Sequence, residues 1–322
     1  MQGQRKELLL QMLAESTDFL SGEKLAGELG ISRAAVWKMI ASLRQEGYCI
    51  EAVKKRGYLL RETDVLSAQQ IRRALAKPWR EIPIQVYDCI DSTNTQAKRQ
   101  LSAGWRGEAI LTAQEQTAGR GRRGRDFYSP RDKGIYMSLI LQPQLRIEES
   151  LLITSAAAVA VCRALEGELG GELGIKWVND IYRGGKKVCG ILTEAITDFE
   201  LGVVQSVIVG IGINLRPQEF PADLTQAASL DAGEISRNRV IAAVAGEVFS
   251  CMRTLREKAF LPEYRRRSIL LGQEISFEQN GIVQPATAVD IDEEGGLLVR
   301  LPDGRERLLN SGEVTVRSCA VQ

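Results

Sequence analysis

The run Gly119-Arg120-Gly121-Arg122-Arg123-Gly124-Arg125, continued by Asp126-Phe127-Tyr128-Ser129-Pro130, fits neither a helix interior nor a strand interior. Glycine spends too much backbone entropy in either, and four neighbouring cations repel one another unless an anion binds them. A loop follows, with backbone N–H groups free to approach a ligand closely and guanidinium forks suited to phosphate or carboxylate. No Gly-Lys-Ser/Thr follows it, and its glycines open no strand-to-helix turn, so neither the P-loop nor the dinucleotide fingerprint is present. Taken alone, the run also suits a solvated basic loop or an RNA-binding tail.

Composition narrows the choice. A chain of 322 residues, 44% hydrophobic, calls for two or three domains, each with a core. Lys plus Arg number 42 against 41 Asp plus Glu, a net charge of +1, so any attraction for anions is local. The chain contains no histidine, and its six cysteines (Cys49, Cys89, Cys162, Cys189, Cys251, Cys319) form no Cys-x-x-Cys pair. That excludes a Ser-His-Asp triad, a Cys-His pair and the usual zinc sites. Free thiols, no opening signal peptide and no apolar run of membrane-spanning length lead to the expectation of a cytoplasmic protein. Leu151 to Leu165, the longest apolar stretch, reads as a buried helix.

Residues 1–63 read as a winged helix-turn-helix. Leu9, Met12 and Leu13 share a face of a first helix, a second covers about Glu23 to Leu29, and Gly30-Ile31 makes the turn. Ser32 caps a third helix from Arg33 to about Glu46, with Val36, Ile40 and Leu43 inward and Gly47 as its stop. Tyr48 to Leu60 forms a hairpin with Lys54-Lys55-Arg56-Gly57 at its tip. Ser32, Arg33, Lys38 and Arg44, with Lys54, Lys55 and Arg56 of the wing, are the candidate DNA contacts; a protein-docking module is the alternative. Trp37, at the edge of the apolar stripe, is expected to pack on the first two helices rather than touch a base.

Residues 64–271 begin with a capping box, Ser67-x-x-Gln70, starting a helix from Ala68 to Ala76 that Pro78 ends. Strands are expected at Ile84–Cys89, Ala109–Ala113, Gly134–Leu141, Gly174–Trp177, Lys187–Ala195 and Ser206–Gly212, and helices at Thr95–Leu101, Leu151–Glu168 and Arg237–Arg253. Short turns join many of these strands, so a mixed sheet fits better than a parallel one. Residues 272–322 alternate in short stretches broken at Asn280-Gly281, Glu294-Gly295-Gly296 and Asp303-Gly304, a small β domain that must pack on its neighbour.

Four further clusters accompany the Arg/Gly loop. They are Asp91-Ser92-Thr93-Asn94 between a strand and a helix, Gln114-Glu115-Gln116-Thr117, Lys176-Trp177-Val178-Asn179-Asp180, and the pair Lys186-Lys187-Val188-Cys189-Gly190-Ile191-Leu192 and Gly210-Ile211-Gly212-Ile213-Asn214. In this order the set Ser-Thr-Asn, Gln-Thr-x-Gly-Arg-Gly-Arg-x-Gly-Arg, Lys-Trp-x-Asn-Asp, Lys-x-x-Gly-Ile-Leu and Gly-x-Gly-x-Asn resembles the biotin protein ligases. With the helix-turn-helix it resembles their bifunctional class, which also represses the biotin operon. The resemblance spans nearly the whole chain and implies an α+β multidomain protein: the winged helix, a catalytic domain related to class II aminoacyl-tRNA synthetases, and an SH3-like C-terminal β-barrel.

The same resemblance assigns biotin to Ser92, Thr93, Asn94, Gln116, Arg120, Gly121, Arg122 and Lys187, with Lys187 and Arg122 catalytic. It assigns ATP or the adenylate to Arg125, Phe127, Lys176, Asn179 and Asn214, and Mg²⁺ to Asp180. Phe127 departs from the tryptophan of the best-known members and offers adenine less surface. Lys187, rather than Lys186, has the Lys-x-x-Gly spacing. The implied partners are a biotin carboxyl carrier protein or similar acceptor, operator DNA and a second copy of the chain, dimerising on ligand binding, with no membrane. An effector sensor without catalysis and a lipoate- or octanoate-type ligase stay open as alternatives.

Overall fold

In the computed structural model the described residues are 2–61, 64–143, 145–146, 150–198, 203–279, 282–310, 312 and 314–316. Thr63 at the first expected boundary, the Asn280-Gly281 turn and Cys319 lie outside them.

Three helices open the chain: α1 (Gln2–Glu15), α2 (Gly22–Leu29) and α3 (Arg33–Gln45). Serines start the second and third, the Ser21 and Ser32 hydroxyls accepting from the Lys24 and Ala35 amides, while left-handed Gly30 closes α2. Leu9, Leu13, Leu25, Val36, Ile40 and Leu43 form a core that the antiparallel pair β1 (Ile50–Val53) and β2 (Gly57–Leu60) completes through Ile50 and Leu60. Trp37 does not pack there. It is 62% exposed, because Val36, Met39, Ile40 and Leu43 already fill the inward stripe and one residue of helix rotates the next side chain by about 100°.

The next helix, α4 (Ala68–Ala74), is shorter than expected and lacks the capping box. Ser67 makes no cap: its hydroxyl donates to Gln69 Oε1 and its N–H to Asn238 Oδ1. Leu75 is already extended, and Pro78 sits in a separate 3₁₀ turn, Lys77–Trp79.

The central sheet holds β3 (Ile84–Tyr87), β4 (Ala109–Ala113), β5 (Gly134–Leu141), β6 (Leu145–Arg146), β7 (Gly174–Lys176), β8 (Asp180–Arg183), β9 (Lys186–Asp198) and β10 (Val203–Asn214). Its order is β3-β4-β5-β10-β9-β8-β7, with β6 beside β10; β3 and β4 pair in parallel and all other pairs are antiparallel. The mixed sheet expected from the short connections is thus present. Helix α5 (Thr93–Ser102) covers one face through Ala97 and Leu101. The other carries α6 (Ser150–Leu169) and α7 (Arg237–Arg253), with short α8 (Leu261–Arg267) beside α6. Among the described residues no helix is long and apolar enough to cross a membrane.

A five-stranded antiparallel sheet ends the chain, ordered β14-β13-β12-β11-β15 and built from β11 (Glu274–Gln279), β12 (Ile282–Ile291), β13 (Leu297–Arg300), β14 (Glu306–Leu309) and β15 (Val314–Val316). Its Ile275, Phe277, Ala288 and Val299 join the same apolar cluster as α6 and α7, so this small sheet gains its core by docking. Trp177, 4% exposed, donates its indole N–H to Gly295 O at 2.9 Å across that junction.

A polar clamp fixes the linker after the winged helix. The Asp64 carboxylate accepts from the Arg237 backbone N–H and Nε, both at 2.9 Å, and pairs with Arg216 at 3.1 Å. Buried Arg237 also reaches Asp132, and Asn238 donates to Val65 O.

Candidate active site

Strands β9 and β10 run antiparallel with Gly190 opposite Gly212 and Leu192 opposite Gly210, which leaves a strip of bare backbone on one face of the sheet. The strip must stay bare. A Cβ on Gly210 would stand 2.1 Å from Asn94 Oδ1, and one on Gly212 would stand 2.5 Å from the Phe127 ring.

On this floor the five sequence clusters meet. All fourteen ligand residues assigned from the resemblance line one cavity of about 370 Å³, within the range of small-molecule sites. Ser92 precedes α5 without capping it. Thr93 gives both its N–H and its hydroxyl to Gln116 Oε1, at 2.8 and 3.2 Å, and Gln116 Nε2 donates to Ser129 Oγ at 2.9 Å. The Ser138 hydroxyl bridges Thr93 Oγ1 and Asn94 Oδ1, while Asn94 Nδ2 donates to Glu194 at 2.9 Å. A buried polar network of this kind holds its members in one geometry.

The Arg/Gly run is a tight loop whose ends bridge at Arg120 and Asp126, with Gly121 N–H donating to Arg125 O at 2.7 Å. Arg122 reaches inward and donates to Asn179 Oδ1 at 3.0 Å, while Asn179 Nδ2 donates to Ile191 O on β9. Arg123 lies 4.0 Å from Glu278 of the C-terminal sheet. Phe127 rests over Gly212 and Gly190 and meets Tyr136 edge-on, with centroids 6.4 Å apart.

Lys187 and Lys186 take different directions. Lys187 Nζ lies over Gly190 and pairs with Asp180 Oδ1 at 2.8 Å, whereas Lys186 turns away and donates to Thr225 O. Lys176 extends toward the Tyr182 ring, and Asn214, 5% exposed, closes the strand end. Burial, with Asp180 adding, pushes the Tyr182 phenol up to about 12. The Arg99 guanidinium beside Asp91 holds its carboxyl below the usual range.

Six cationic side chains (Arg120, Arg122, Arg123, Arg125, Lys176, Lys187) face three acids (Asp126, Asp180, Asp223) around the cavity, which therefore favours a polyanion. Sequence reading missed part of the wall: Trp177, Tyr182, Phe220, the stretch 223–227, Gly312 and Val314. Trp177 stood inside a recognised motif. The stretch 223–227 carries no periodicity; it is held by the Lys187 N–H donating to Gln226 O at 2.7 Å.

Among the DNA candidates, Ser32 caps α3, and Arg33, Lys38, Lys54 and Lys55 are exposed. Arg44 is exposed too, with its Nε donating to Ile50 O at 2.9 Å. Arg56 pairs with Asp18 at 3.2 Å and stacks on Phe19. Both face a structural partner because the wing folds back on α3 and on the α1–α2 turn.

Three family models match: a helix-turn-helix domain over residues 5–59, the biotin/lipoate A/B protein ligase family over 86–214, and the biotin protein ligase C-terminal domain over 270–317. The chain is 36% identical to the bifunctional ligase/repressor BirA of Bacillus subtilis across 95% of this chain and 97% of the relative. Against the protein of the same name from Escherichia coli it is 28% identical, with 96% of each chain covered. A biotin protein ligase from Aquifex aeolicus, solved in complex with biotin and ATP, superposes with a TM-score of 0.62 at 27% identity, covering 73% of this chain and 98% of that one. The chain belongs to the biotin protein ligase family, in its bifunctional ligase/repressor class.

Proposed function

We propose the following course for the reaction of this biotin ligase and repressor. Biotin lies along the network of Ser92, Thr93 and Gln116, with its carboxylate toward Arg122 and Lys187. That carboxylate attacks the α-phosphorus of ATP, a new P–O bond forms, and the bond to the β-phosphate oxygen breaks to release pyrophosphate. Anion meets anion, so the barrier falls when fixed cations sit where charge concentrates. Lys187 and Arg122 serve the reacting carboxylate and α-phosphate, and Arg120 and Arg125 the remaining phosphates. Asn179, Lys176, Asn214 and Phe127 hold the nucleotide.

The described residues contain no cluster of three or more metal-ligating side chains. Asp180 is a single carboxylate at the phosphate side, which suits Mg²⁺, an ion commonly held by one or two carboxylates together with substrate phosphates. When bound it supplies charge neutralisation.

The product, biotinyl-5′-AMP, is a mixed anhydride. Closure of the loop 119–125 keeps water from it until an acceptor lysine, deprotonated, attacks the carbonyl carbon and AMP leaves. The acceptor is a biotin carboxyl carrier domain. The observation that carries this reading is the convergence of all fourteen residues on one glycine floor with Lys187 over Gly190.

The repressor half uses the winged helix on a palindromic operator in the cytoplasm, which requires a two-fold dimer. The adenylate promotes that dimer by ordering the Arg120–Arg125 loop, a contact that differs between the two states. Incubating the protein with ATP and biotin, lipoate or octanoate, and weighing the adenylate by mass spectrometry, tests the substrate. Adenylation of lipoate alone, or of none, would overturn it. Analytical ultracentrifugation with and without both substrates tests the dimer, which an unchanged dissociation constant would refute.

A further inference from the structure

We propose that Trp37 reads a thymine in the major groove of the operator. The inference rests on the DNA-binding function of the amino-terminal domain and assigns a base contact within it.

Trp37 stands 62% exposed on α3, outside the cluster that packs the domain. Arg33, four residues before it, and Ala34, three before, lie on the same face, and Ala41 lies four after. The small alanines leave the indole standing above the helix surface. Its N–H finds no partner among the described residues. Exposed Arg33 and Lys38 on α3, with Lys54 and Lys55 at the wing, form no ion pair among the described residues, unlike Arg56 with Asp18. A large apolar plane thus lies among unneutralised cations.

A duplex complements both features. Its phosphates take the cations, and its major groove offers apolar surface at one place, the C5 methyl of thymine, beside the O4 acceptor. The indole face covers the methyl while Nε1–H reaches O4. Phosphate contacts position the helix; this contact specifies sequence.

The test uses the full chain with biotin and ATP. Duplexes are selected from a library with a randomised core, and each thymine of the winner is then replaced by uracil, which removes only the methyl. Wild type should lose about three- to fivefold in affinity at one thymine of each half-site, the worth of one buried methyl. Trp37→Ala should bind the thymine duplex more weakly by a similar factor, become indifferent to that uracil, and keep the wild-type salt slope and adenylation rate. Lys38→Ala should lower the salt slope by about one and keep the uracil penalty. Trp37→Phe, which retains an aromatic face, should keep part of that penalty. A Trp37→Ala protein that still senses every uracil, or one that loses self-association instead of base discrimination, overturns the proposal. If wild type selects no duplex at all, the DNA-binding reading itself fails, a separate and recognisable result.

Discussion

Replacing Lys187 with alanine should separate chemistry from folding. Its Nζ sits 2.8 Å from Asp180 Oδ1, but the two side chains remain 32% and 22% exposed, so water screens the pair. Breaking such a pair costs about 1 kcal/mol of stability, which lowers Tm by about 2–4 °C in a domain of this size. The charge is worth far more to the reaction, because removing one preorganised donor from a developing anion costs about 3–4 kcal/mol, a hundred- to a thousandfold in rate. Adenylate formation should therefore collapse in a protein that remains folded at assay temperature. Lys186→Ala provides the control, since Lys186 Nζ donates to Thr225 O at 2.8 Å and does not line the cavity. Pyrophosphate release with saturating ATP and biotin gives the rate, and a circular-dichroism melt gives Tm. A Lys187→Ala enzyme within about threefold of wild type, or one as slow as Lys186→Ala, would refute the reasoning, for which an effect near the hundredfold level is required.

Four further outcomes can be measured. Arg122→Gly removes the bond to Asn179 and should weaken retention of the adenylate more than it slows adenylation, seen as more biotin on bystander lysines for each adenylate formed. Gly210→Ala should destabilise more than Gly212→Ala in a urea titration, because the new methyl meets Asn94, held by Ser138 and Glu194, rather than a displaceable Phe127 ring. Trp177→Phe strands the Gly295 carbonyl and should cost about 1–3 kcal/mol, measured by the same titration. The last outcome concerns acid. Burial pushes the Glu166 and Glu263 carboxyls up, yet hydrogen bonds from Arg267, with Leu173 N–H or Arg163, outweigh it and leave both below 4.5. Depressed carboxylates stabilise the fold above their unfolded value and lose that contribution as pH falls through the folded one. Arg267→Met should lower Tm at neutral pH and flatten the decline below about pH 4.5.

Sequence patterning specified the segments where one physical term dominates. Ala109–Ala113 and Gly134–Leu141 are largely apolar runs, broken only by Thr112 and Ser138, and Arg237–Arg253 carries a clear helical stripe; each has the expected bounds. The four-residue β8, Asp180-Ile181-Tyr182-Arg183, is too short for alternation to register, and seven-residue α8 around Pro262 is too short for a helical stripe. The Ser67 box failed because a tertiary partner, Asn238, satisfies the Ser67 amide that the box would have used. The site was legible through spacing within motifs, although Ser92 and Asn214 lie far apart in the chain. Nothing in the stretch 223–227 signals its place, since tertiary bonds from the Lys187 backbone and the Lys186 side chain bring it to the cavity. Trp37 shows the limit of a stripe argument: one step of helix rotation separates core from solvent.

The Asp64 clamp gives the ligase surface authority over the spacing of genetic signals. Asp64, Val65 and Ser67 are bonded to Arg237, Asn238 and Arg216, so the chain is held to the enzyme body from Asp64 onward. In any two-fold assembly of such bodies the distance between recognition helices is set by the catalytic domains, as the gap between callipers is set at the hinge. For such an assembly, operator half-site separation would follow the enzyme's own contact surface. A regulator that drifted in that surface would lose its genes' address without a single change in the residues that read DNA.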